Sequence, residues 1–458
     1  MGFYNKGAEG ATATVSRDPD LSGNYVCNGT NDEVEINQAI ADLETISPTE
    51  VSLLIKPGRY NIYDHINADG CSSKDLTTFA NSAYFRLADG RPDTESADWM
   101  YHVILLQMDA ALTNFKWFGG EFDGNKANQT MVNANKGIAV VYFRHSGNNI
   151  VFRDVWAHDH FRRGIMTKCQ GGNYYDVHYT YCKGMNNGYD DLKFSIEGSY
   201  SFYGSSINNC IAGGDTGDIG IDLFDQNGTG FMYDIQICNN IVFRMTGAEG
   251  SSANHYPIRN EDVSERILIA NNTILDCDRG ISDHVSSPQG RNIIIGNHIH
   301  MDGTYTDTRG IQTNNPRSSI IGNYIYGEKQ AGEVLIYVQN GSSHALINGN
   351  YLNNGTKGIE LEDAAVYTSI NNNYLYDCTT GIDINGTSDD TSVRGNTFDG
   401  TTGLVIAAGA LRILVDGNDF SQCTRDVNNA SGNWACFGGN KNQAGAWIEG
   451  ATGDDPLS

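Results

Sequence analysis

The chain has 458 residues and a formal net charge of −25. A protein this acidic does not bind nucleic acid or an anionic membrane through bulk electrostatics. No stretch approaches the roughly 20 apolar residues that a membrane-spanning helix needs, so membrane insertion is not expected. The 53 Gly and only 8 Pro indicate many tight turns between short strands rather than long helices.

The amino-terminal region, residues 1–60, predicts a cap and a first strand. Residues 30–33 (Thr-Asn-Asp-Glu) have the capping-box pattern, and residues 34–43 have the periodicity of a short amphipathic helix. The apolar run 51–55 then predicts a buried strand. A helix over the open end of a stack of strands protects an edge that would otherwise aggregate.

Residues 61–260 predict long, irregular coils. Residues 61–110 lack a repeat, and the coils between residues 148 and 260 are longer than those that follow. Extra residues in a coil must leave the stack as loops, and such loops usually build a binding face. We therefore expect a binding surface in this part of the chain.

Residues 261–435 carry an internal repeat. Its asparagines are separated by 25, 26, 27, 23, 23 and 22 residues, and Gly-Ile pairs recur between them. These asparagines are Asn272, Asn297, Asn323, Asn350, Asn373, Asn396 and Asn418. Two or three short strands per period of about 23 residues form one coil of a parallel β-helix, and recurring Asn in one turn predicts a stacked ladder.

The fold class that follows is all-β, a right-handed parallel β-helix. An α-solenoid is excluded because helical periodicity is absent, and a β-propeller needs a longer period. We expect about 11 to 13 coils in a single domain over residues 1–458, with residues 436–458 as a carboxyl-terminal cap or tail.

The ten cysteines follow the repeat rather than a disulfide framework. Stacked coils would bring Cys182 and Cys210 close together. We expect mostly buried, reduced thiols, and no Cys-x-x-Cys pair supports a metal site.

Two segments resemble the pectate-lyase-like superfamily. One is the helix and strand that lead to Lys56-Pro-Gly-Arg-Tyr60, and the other is Trp117-Phe-Gly-Gly-Glu-Phe-Asp-Gly-Asn125. The resemblance implies a parallel β-helix that acts on acidic polysaccharides.

Aligning the coils on their Gly-Ile pairs predicts a column of outward-pointing side chains. Side chains alternate along a strand, and adjacent coils lie about 4.8 Å apart. Lys193, Asp222 and Arg259 are then expected to be near neighbours, with Glu261 and His284 alongside. The structural alternative is a solvated charge ladder. The mixture of both charge signs with histidine, where the coils lengthen, instead favours an active site.

Hydrolysis of a glycosidic bond needs two carboxylates, one acting as an acid and one as a base or nucleophile. Candidate catalytic carboxylates are Asp191, Asp222 and Glu261, with Lys193, Arg259 and His284 in the same column. Candidate substrate-binding residues are Asp190, Lys168, Asp225, Tyr256, Arg163 and His160. The segment 188–193 is similar to the Gly-Asp-Asp segment of polygalacturonase-type hydrolases, whereas the Asn-Thr-Asp, His-Gly and Arg-Ile-Lys motifs of that family are missing.

The alternative reaction is β-elimination, which needs a base and a cation that stabilises the developing enolate. Lys193 and Arg259 would serve as base and acid, a disposition that resembles the alginate-lyase branch of the superfamily. No cofactor is required for hydrolysis, but Ca²⁺ is possible at the cluster of Asp215, Asp218, Asp222 and Asp225.

A zinc site is not predicted. His158 and His160 are two residues apart and would lie on one face of a strand, but the sequence supplies no third ligand beside them. Trp99, Trp117 and Trp156 are candidates for stacking on sugar rings.

The long coils, the Asn-ladder half and the acidic, Asn/Gly-rich composition resemble the disaggregatase family of methanogenic archaea. That family degrades methanochondroitin, a polymer of glucuronic acid and N-acetylgalactosamine. The resemblance implies an extracellular or cell-surface enzyme that acts endolytically, although residues 1–6 lack the apolar core of a signal peptide. We therefore expect a glycoside hydrolase of an acidic polysaccharide, with a polysaccharide lyase and a non-catalytic surface adhesin as alternatives.

Overall fold

In a computed structural model, the chain forms an all-β right-handed parallel β-helix of about 12 turns, so the predicted fold class is confirmed. The structure describes residues 4–5, 11–17, 22–89, 106–108, 110–129, 139–214, 219–245, 255–262, 264–285, 290–302, 308–430, 435–441 and 447–448. Among these residues, no helix is long and apolar enough to cross a membrane.

The chain divides into two compact units. Unit 1 comprises Met1–Ile235 and Thr246–Asn254, and unit 2 comprises Gln236–Met245 and His255–Ser458. The expected single domain over residues 1–458 stays a prediction.

Unit 1 contains the α-helix Glu33–Glu44, two short 3₁₀ helices at Ala68–Cys71 and Lys126–Asn128, and strands that pair mostly in parallel. Its strands are Tyr4–Asn5, Ala11–Arg17, Tyr25–Cys27, Glu50–Ile55, Gly58–Ile62, Ile66–Asn67, Asp75–Phe79, Ala83–Leu87, Leu106–Met108, Leu112–Thr113, Lys116–Phe118, Glu121–Asp123, Val141–Arg153, Trp156–His158, Ile165–Thr180, Lys183–Met185, Asp190–Ile196, Ser201–Tyr203, Ser206–Asn208, Ile211–Gly213, Ile219–Asp225 and Phe231–Tyr233.

Unit 2 contains strands that also pair in parallel, except for its last pair, which is antiparallel. Its strands are Gln236–Cys238, Ile241–Phe243, Ile258–Asp262, Ser264–Glu265, Leu268–Ala270, Thr273–Cys277, Ile281–Val285, Ile293–Ile295, His298–Met301, Arg309–Thr313, Ser319–Ile321, Tyr324–Tyr326, Val334–Val338, Leu346–Asn348, Tyr351–Asn353, Lys357–Leu361, Ser369–Asn371, Tyr374–Ile384, Ser392–Arg394, Thr397–Ile406, Ile413–Asp416, Asp419–Asn429, Ala435–Gly438, Asn440–Lys441 and Trp447–Ile448.

The predicted amino-terminal helix is present within one residue of its expected bounds, but its cap differs from the prediction. Asp32 occupies the N-cap position and its side chain does not cap the helix. Its carboxylate instead accepts hydrogen bonds from the backbone N–H groups of Gly29, at 2.6 Å, and Asn61, at 2.8 Å. The apolar face of the helix is buried against the strand Ala11–Arg17. The carboxylate therefore joins the helix to the neighbouring strand.

The core of unit 2 is built by the Gly-Ile pairs that the sequence shows. Their isoleucines lie opposite one another on successive coils and are fully buried. The stacked positions are Ile281, Ile311, Ile336, Ile359, Ile382 and Leu404. A glycine precedes each of these residues except Ile336, which follows Leu335, and it leaves room for the next coil. A Cβ on Gly280, for example, would lie 2.1 Å from the Gly310 carbonyl oxygen.

The predicted asparagine ladder is present and extends by one coil at each end, to Asn240 and Asn440. Asn350 shows the pattern: its Oδ1 accepts from the backbone N–H and the amide of Asn323, and its amide donates to Asn373 Oδ1, each at 2.9 Å. The amide also donates to the Ile320 carbonyl at 2.9 Å. Every member is buried, so these bonds satisfy polar groups that would otherwise cost stability.

None of the cysteines whose side chains the structure describes forms a disulfide, and Cys182 and Cys210 are both buried. Each donates to backbone carbonyl groups, which satisfies the thiols without a disulfide. The side chain of Cys436 lies outside the described residues.

Candidate functional site

The predicted mixed-charge column begins in unit 1, where the expected register is present. Met166 lies opposite Lys193, and Lys193 lies opposite Asp222. Lys193 Nζ donates to Asp190 Oδ2 at 3.0 Å and also pairs with Asp222, while Arg163 Nε lies 2.7 Å from Asp190 Oδ2. The Lys193 side chain is only 2% exposed, and both aspartates are fully buried. This part of the column is a buried ion-pair cluster.

Asp191 and Asp225 hold turns in place. Asp191 accepts from Asn187 Nδ2 and from the Gly213 N–H, each at 2.7 Å. Burial raises the pKa of the Asp191 carboxyl to about 8. Asp225 accepts from the backbone N–H groups of Asn227, at 3.2 Å, and Gly230, at 2.6 Å. Both carboxylates are therefore engaged by groups of neighbouring turns rather than directed at solvent.

Asp191 should make stability fall as pH rises. Its folded pKa of about 8 lies above the unfolded value of roughly 3.9, so its contribution is complete below the unfolded value and is lost as pH rises through the folded one. The expected slope is about 1.4 kcal/mol per pH unit between those limits. Urea unfolding from pH 5 to 9 should show a flatter profile for Asp191→Asn than for the wild type. Parallel profiles would contradict this assignment, and Asp377→Asn, at an exposed site, is the control.

Two predicted substrate-binding residues in unit 1 are buried. His160 Nδ1 accepts the backbone N–H groups of Arg162, at 3.1 Å, and Arg163, at 3.2 Å, and burial lowers the pKa of this imidazole to about 3. Lys168 pairs with Glu197, and burial lowers the pKa of its amine. His160 is therefore neutral at physiological pH and shapes the loop that follows it.

The remaining predicted residues lie in unit 2, where Glu261 and His284 are open to solvent and Arg259 and Tyr256 are buried. Arg259 Nη1 lies 2.9 Å from Glu261 Oε2, and the Glu261 side chain is 30% exposed. Glu261 lies opposite His284, which is exposed. The Tyr256 hydroxyl bonds to Gln312 Oε1 at 2.7 Å. Of these four residues, Glu261 and His284 are therefore the ones that a large substrate could reach.

Asp283 has a structural role in unit 2. Its buried carboxylate accepts from the amides of Asn260 and Asn292, both at 2.8 Å, and from the hydroxyls of Thr313, at 3.1 Å, and Ser318, at 2.9 Å. These four hydrogen bonds satisfy the buried carboxyl group and join Asp283 to neighbouring strands and turns of unit 2.

The predicted Ca²⁺ cluster and the predicted sugar-stacking tryptophans lie only partly within the described residues. Asp215, Asp218 and Trp99 lie outside them. Trp117 is fully buried in the core. Trp156 is partly exposed and belongs to a surface that the sequence did not single out.

That surface lies on unit 1, across four paired strands. Tyr84, Glu121, Trp156 and Lys183 lie opposite one another in one row. Two residues further along the same strands, Arg86, Asp123, His158 and Met185 form a second row. Side chains alternate along a strand, so both rows point outward while the row between them, which includes Phe85 and Phe122, is buried.

A cleft lies on each side of these rows. The first, of about 610 Å³, is lined by Tyr84, Glu121, Trp156, Tyr181 and Lys183 among others. The second, of about 580 Å³, is lined by Arg86, Asp123, Asn125, Lys126, Ala127, Asp159 and Asn186. We call the two rows and their clefts the outer groove, defined by Tyr84, Arg86, Glu121, Asp123, Lys126, Trp156, His158, Asp159, Tyr181 and Lys183.

His158 is the centre of the polar contacts in the outer groove. Its Nδ1 lies 2.7 Å from Asp159 Oδ2, and its Nε2 lies 3.2 Å from Glu121 Oε1. Its ring centroid is 4.5 Å from that of Trp156. The Glu121 side chain is 37% exposed and Asp159 is 47% exposed, so two carboxylates that face solvent flank one nearly buried imidazole.

Asp123 lies beside this centre and has its own partners. The Tyr84 hydroxyl donates to Asp123, and Arg86 Nε lies 3.6 Å from its Oδ2. The Asn125 backbone N–H donates to Asp123 Oδ1 at 2.6 Å. These contacts fix the carboxylate in the second cleft.

The sequence does not predict the outer groove because its parts come from coils of unequal length. His158 and Glu121 are 37 residues apart, and no repeat aligns them. Three sequence features did point to this region: the His158–His160 spacing, Trp156 and the segment 117–125. The register of their strands depends on the lengths of the loops between them, which cannot be read from the sequence.

Comparisons with known proteins agree with the fold. No curated protein matches this chain. The family model "Right handed beta helix region" matches residues 258–398. A similar solved structure is the pre-mature gene product 12 of bacteriophage phi29, with a TM-score of 0.61 and 16% identity over 93% of this chain and 57% of the phage chain.

Two further structures are less similar in three dimensions. The A-module of mannuronan C-5 epimerase AlgE6 from Azotobacter vinelandii has a TM-score of 0.45 and 14% identity, over 90% of this chain and 97% of that one. The surface adhesin PfbA of Streptococcus pneumoniae has a TM-score of 0.44 and 13% identity, over 92% of each chain. At these identities the likeness concerns the fold alone, and the two structures with TM-scores below 0.5 carry no further argument.

Proposed function

We propose that the protein is an endo-acting glycoside hydrolase of an acidic polysaccharide, such as a polymer of uronic acid and N-acetylhexosamine, and that the outer groove binds the polymer. The observation that carries the proposal is the arrangement of solvent-facing carboxylates, cations and aromatic rings in two adjoining clefts of unit 1.

The aromatic and cationic side chains suit an acidic sugar. Trp156, Tyr84 and Tyr181 offer rings that can pack against the apolar faces of sugars, and Lys183 Nζ lies 5.7 Å from the Trp156 ring centre. Arg86 and Lys126 line the second cleft. A guanidinium or an ammonium group pairs with a uronate carboxylate, which supplies local attraction within an acidic protein.

The carboxylates suit hydrolysis. Glu121 and Asp123 project from the same face of one strand, and their Cα atoms are about 6.6 Å apart along it. Glycosidases use a pair of carboxyl groups, one as an acid and one as a base or nucleophile. His158 orients Glu121 through a 3.2 Å contact.

The predicted column is a rival location for the same reaction. Asp191 and Asp222 are buried, and Lys193 is held between carboxylates. In unit 2, Arg259 is buried beside Glu261, whereas Glu261 and His284 are more open to solvent. Ion pairing and burial explain the unit 1 residues without catalysis, which favours the outer groove.

Elimination is the second candidate reaction. His158 and Arg86 lie in the same groove and would supply a base and a cation for a uronate. Elimination leaves a conjugated double bond that absorbs near 235 nm, and hydrolysis does not. Digestion of a panel of acidic glycans, followed by absorbance and by new reducing ends, separates the two reactions. Binding without either signal would favour the adhesin.

Truncating Trp156 should weaken polysaccharide binding. We expect Trp156→Ala to raise the dissociation constant about 10- to 30-fold, since a buried aromatic contact contributes roughly 2 kcal/mol. The measurement is calorimetry with a size-defined acidic oligosaccharide that the wild type binds. Tyr376→Ala, an exposed ring of unit 2, is the control and should bind as the wild type does. Equal affinities for the two variants would place binding outside the groove.

A further inference from the structure

We infer that the outer groove holds a divalent transition-metal ion between Asp123, His158 and Asp159. One carboxylate oxygen from each aspartate and one imidazole nitrogen lie within 4.8 Å of one another. Atoms this close can converge on a single ion at ligand distances of about 2.0 to 2.2 Å after small side-chain rotations.

Both ring nitrogens of His158 face carboxylates. Nε2 lies 3.2 Å from Glu121 Oε1, and Nδ1 lies 2.7 Å from Asp159 Oδ2. A metal ion bound at Nδ1 would use the lone pair of that nitrogen and leave an N–H at Nε2. Histidines that bind a metal ordinarily donate their other N–H to a carboxylate, and Glu121 is placed for that role.

The carboxylates near His158 are not all engaged by cations. Glu121 and Asp159 contact the two ring nitrogens of His158, whereas Arg86 pairs with Asp89 at 3.0 Å and lies 3.6 Å from Asp123. A divalent ion would offset negative charge where Asp123 and Asp159 converge on His158.

The backbone already holds the three ligands in place. Asp159 adopts a left-handed conformation, with φ of 52°, and its N–H donates to the Met185 carbonyl at 3.1 Å. The carbonyl of Asp159 accepts from the Lys126 N–H at 2.9 Å, and that of His158 accepts from the Gly124 N–H at 2.9 Å. Ligands fixed in this way lose little freedom when an ion binds.

The ligand atoms indicate which ion would bind, and the second cleft indicates which coordination positions stay open. One imidazole and two carboxylates suit Zn²⁺ or Mn²⁺, whereas Ca²⁺ prefers a full set of oxygen ligands. Asp123 and Asp159 line the second cleft, so positions remain open for water or for a substrate oxygen. Three protein ligands with an open position are typical of catalytic rather than structural zinc sites.

The sequence indicated no third ligand for a zinc site at His158 and His160. The structure directs His160 Nδ1 to backbone N–H groups, whereas Asp123 comes from the preceding coil to His158. The inference concerns the ion alone and does not depend on the proposed cleavage. If both hold, the ion would activate water beside Glu121 or bind a sugar carboxylate.

The test is calorimetric titration of the chelator-treated full chain with Zn²⁺, Mn²⁺ and Ca²⁺ separately. We expect one Zn²⁺ per chain with a dissociation constant on the order of 1 μM or lower, and weaker binding of Ca²⁺. His158→Ala and Asp123→Asn should each weaken Zn²⁺ binding at least about tenfold. Asp159→Asn should do the same with little effect on folding, because asparagine tolerates the left-handed conformation. His178→Ala, a half-buried histidine bonded to Ser206, should bind Zn²⁺ as the wild type does.

The inference fails if Zn²⁺ binds no more tightly than about 1 mM, or if His158→Ala and Asp159→Asn both leave its affinity unchanged. Co²⁺ provides a second measurement, since its visible absorption should be lost in His158→Ala. Trp156→Ala should keep the ion and lose the polysaccharide. Zn²⁺ binding without glycan cleavage would overturn the proposed function alone, and cleavage that survives complete metal removal without Zn²⁺ binding would overturn only the metal site.

Discussion

Replacing Lys193 with alanine is expected to lower the free energy of unfolding by about 3 to 5 kcal/mol. Lys193 Nζ lies between Asp190, at 3.0 Å, and Asp222, and all three side chains are buried. Removing the ammonium group leaves carboxylates in a poorly solvated place. Arg163 still pairs with Asp190 at 2.7 Å, so part of the negative charge remains balanced.

Urea unfolding followed by tryptophan fluorescence measures this effect. Lys441→Ala is the matched control, because Lys441 forms an ion pair at 3.3 Å with Asp419 that is about one-third exposed, and it should cost only about 0 to 1 kcal/mol. Adding Asp222→Asn to Lys193→Ala should recover part of the stability, since one of the two carboxylates that faced the ammonium group is then neutral. A loss below about 1 kcal/mol would show that the cluster is not the buried pair described above.

The regular coils of unit 2 could be predicted because their information is local. Each period repeats the same Asn and Gly-Ile positions, so the interval between them directly measures one turn. Asn350 therefore bonds to Asn323 and Asn373 as expected, and Ile359 stacks between Ile336 and Ile382. A small error in a strand boundary does not alter such a register.

The direction of side chains at the corners of coils could not be predicted in the same way. Alternation along a strand placed Lys193 opposite Asp222, which is confirmed. Alternation gave no information on Asp191, which lies at the start of its strand. Its carboxyl group accepts hydrogen bonds from Asn187 and Gly213. Burial of outward-pointing residues also depends on loops that fold over them, and composition does not reveal that.

The outer groove could not be predicted because it joins residues from coils with no common period. Tyr84, Glu121 and Trp156 are separated by 37 and 35 residues, yet they lie opposite one another. Their separation along the sequence depends on how many residues of each coil lie in loops. The pairing of strands supplies that information, and a single sequence does not.

Replacing Glu121 with glutamine is expected to lower kcat about 10²- to 10⁴-fold while leaving the fold intact. Glutamine is isosteric, and its Oε1 can still accept from His158 Nε2, which lies 3.2 Å away in the wild type. What it loses is the ability to give or take the proton that glycosidic cleavage moves. The groove should still bind the polymer, so KM should change only a few-fold. New reducing ends give the rate, and urea unfolding checks the fold.

Glu328→Gln is the matched control for this variant. Its side chain is 39% exposed and lies 3.9 Å from a histidine nitrogen, that of His300, but it belongs to unit 2, outside the groove. It should retain the wild-type rate. Retention of full activity by Glu121→Gln, together with its loss in a folded Asp222→Asn or Glu261→Gln, would instead place the reaction in the predicted column. Loss of activity in Glu121→Gln but not in Glu328→Gln would assign the proton transfer to the groove. The two glutamates are similarly exposed, at 37% and 39%, and each lies near a histidine nitrogen.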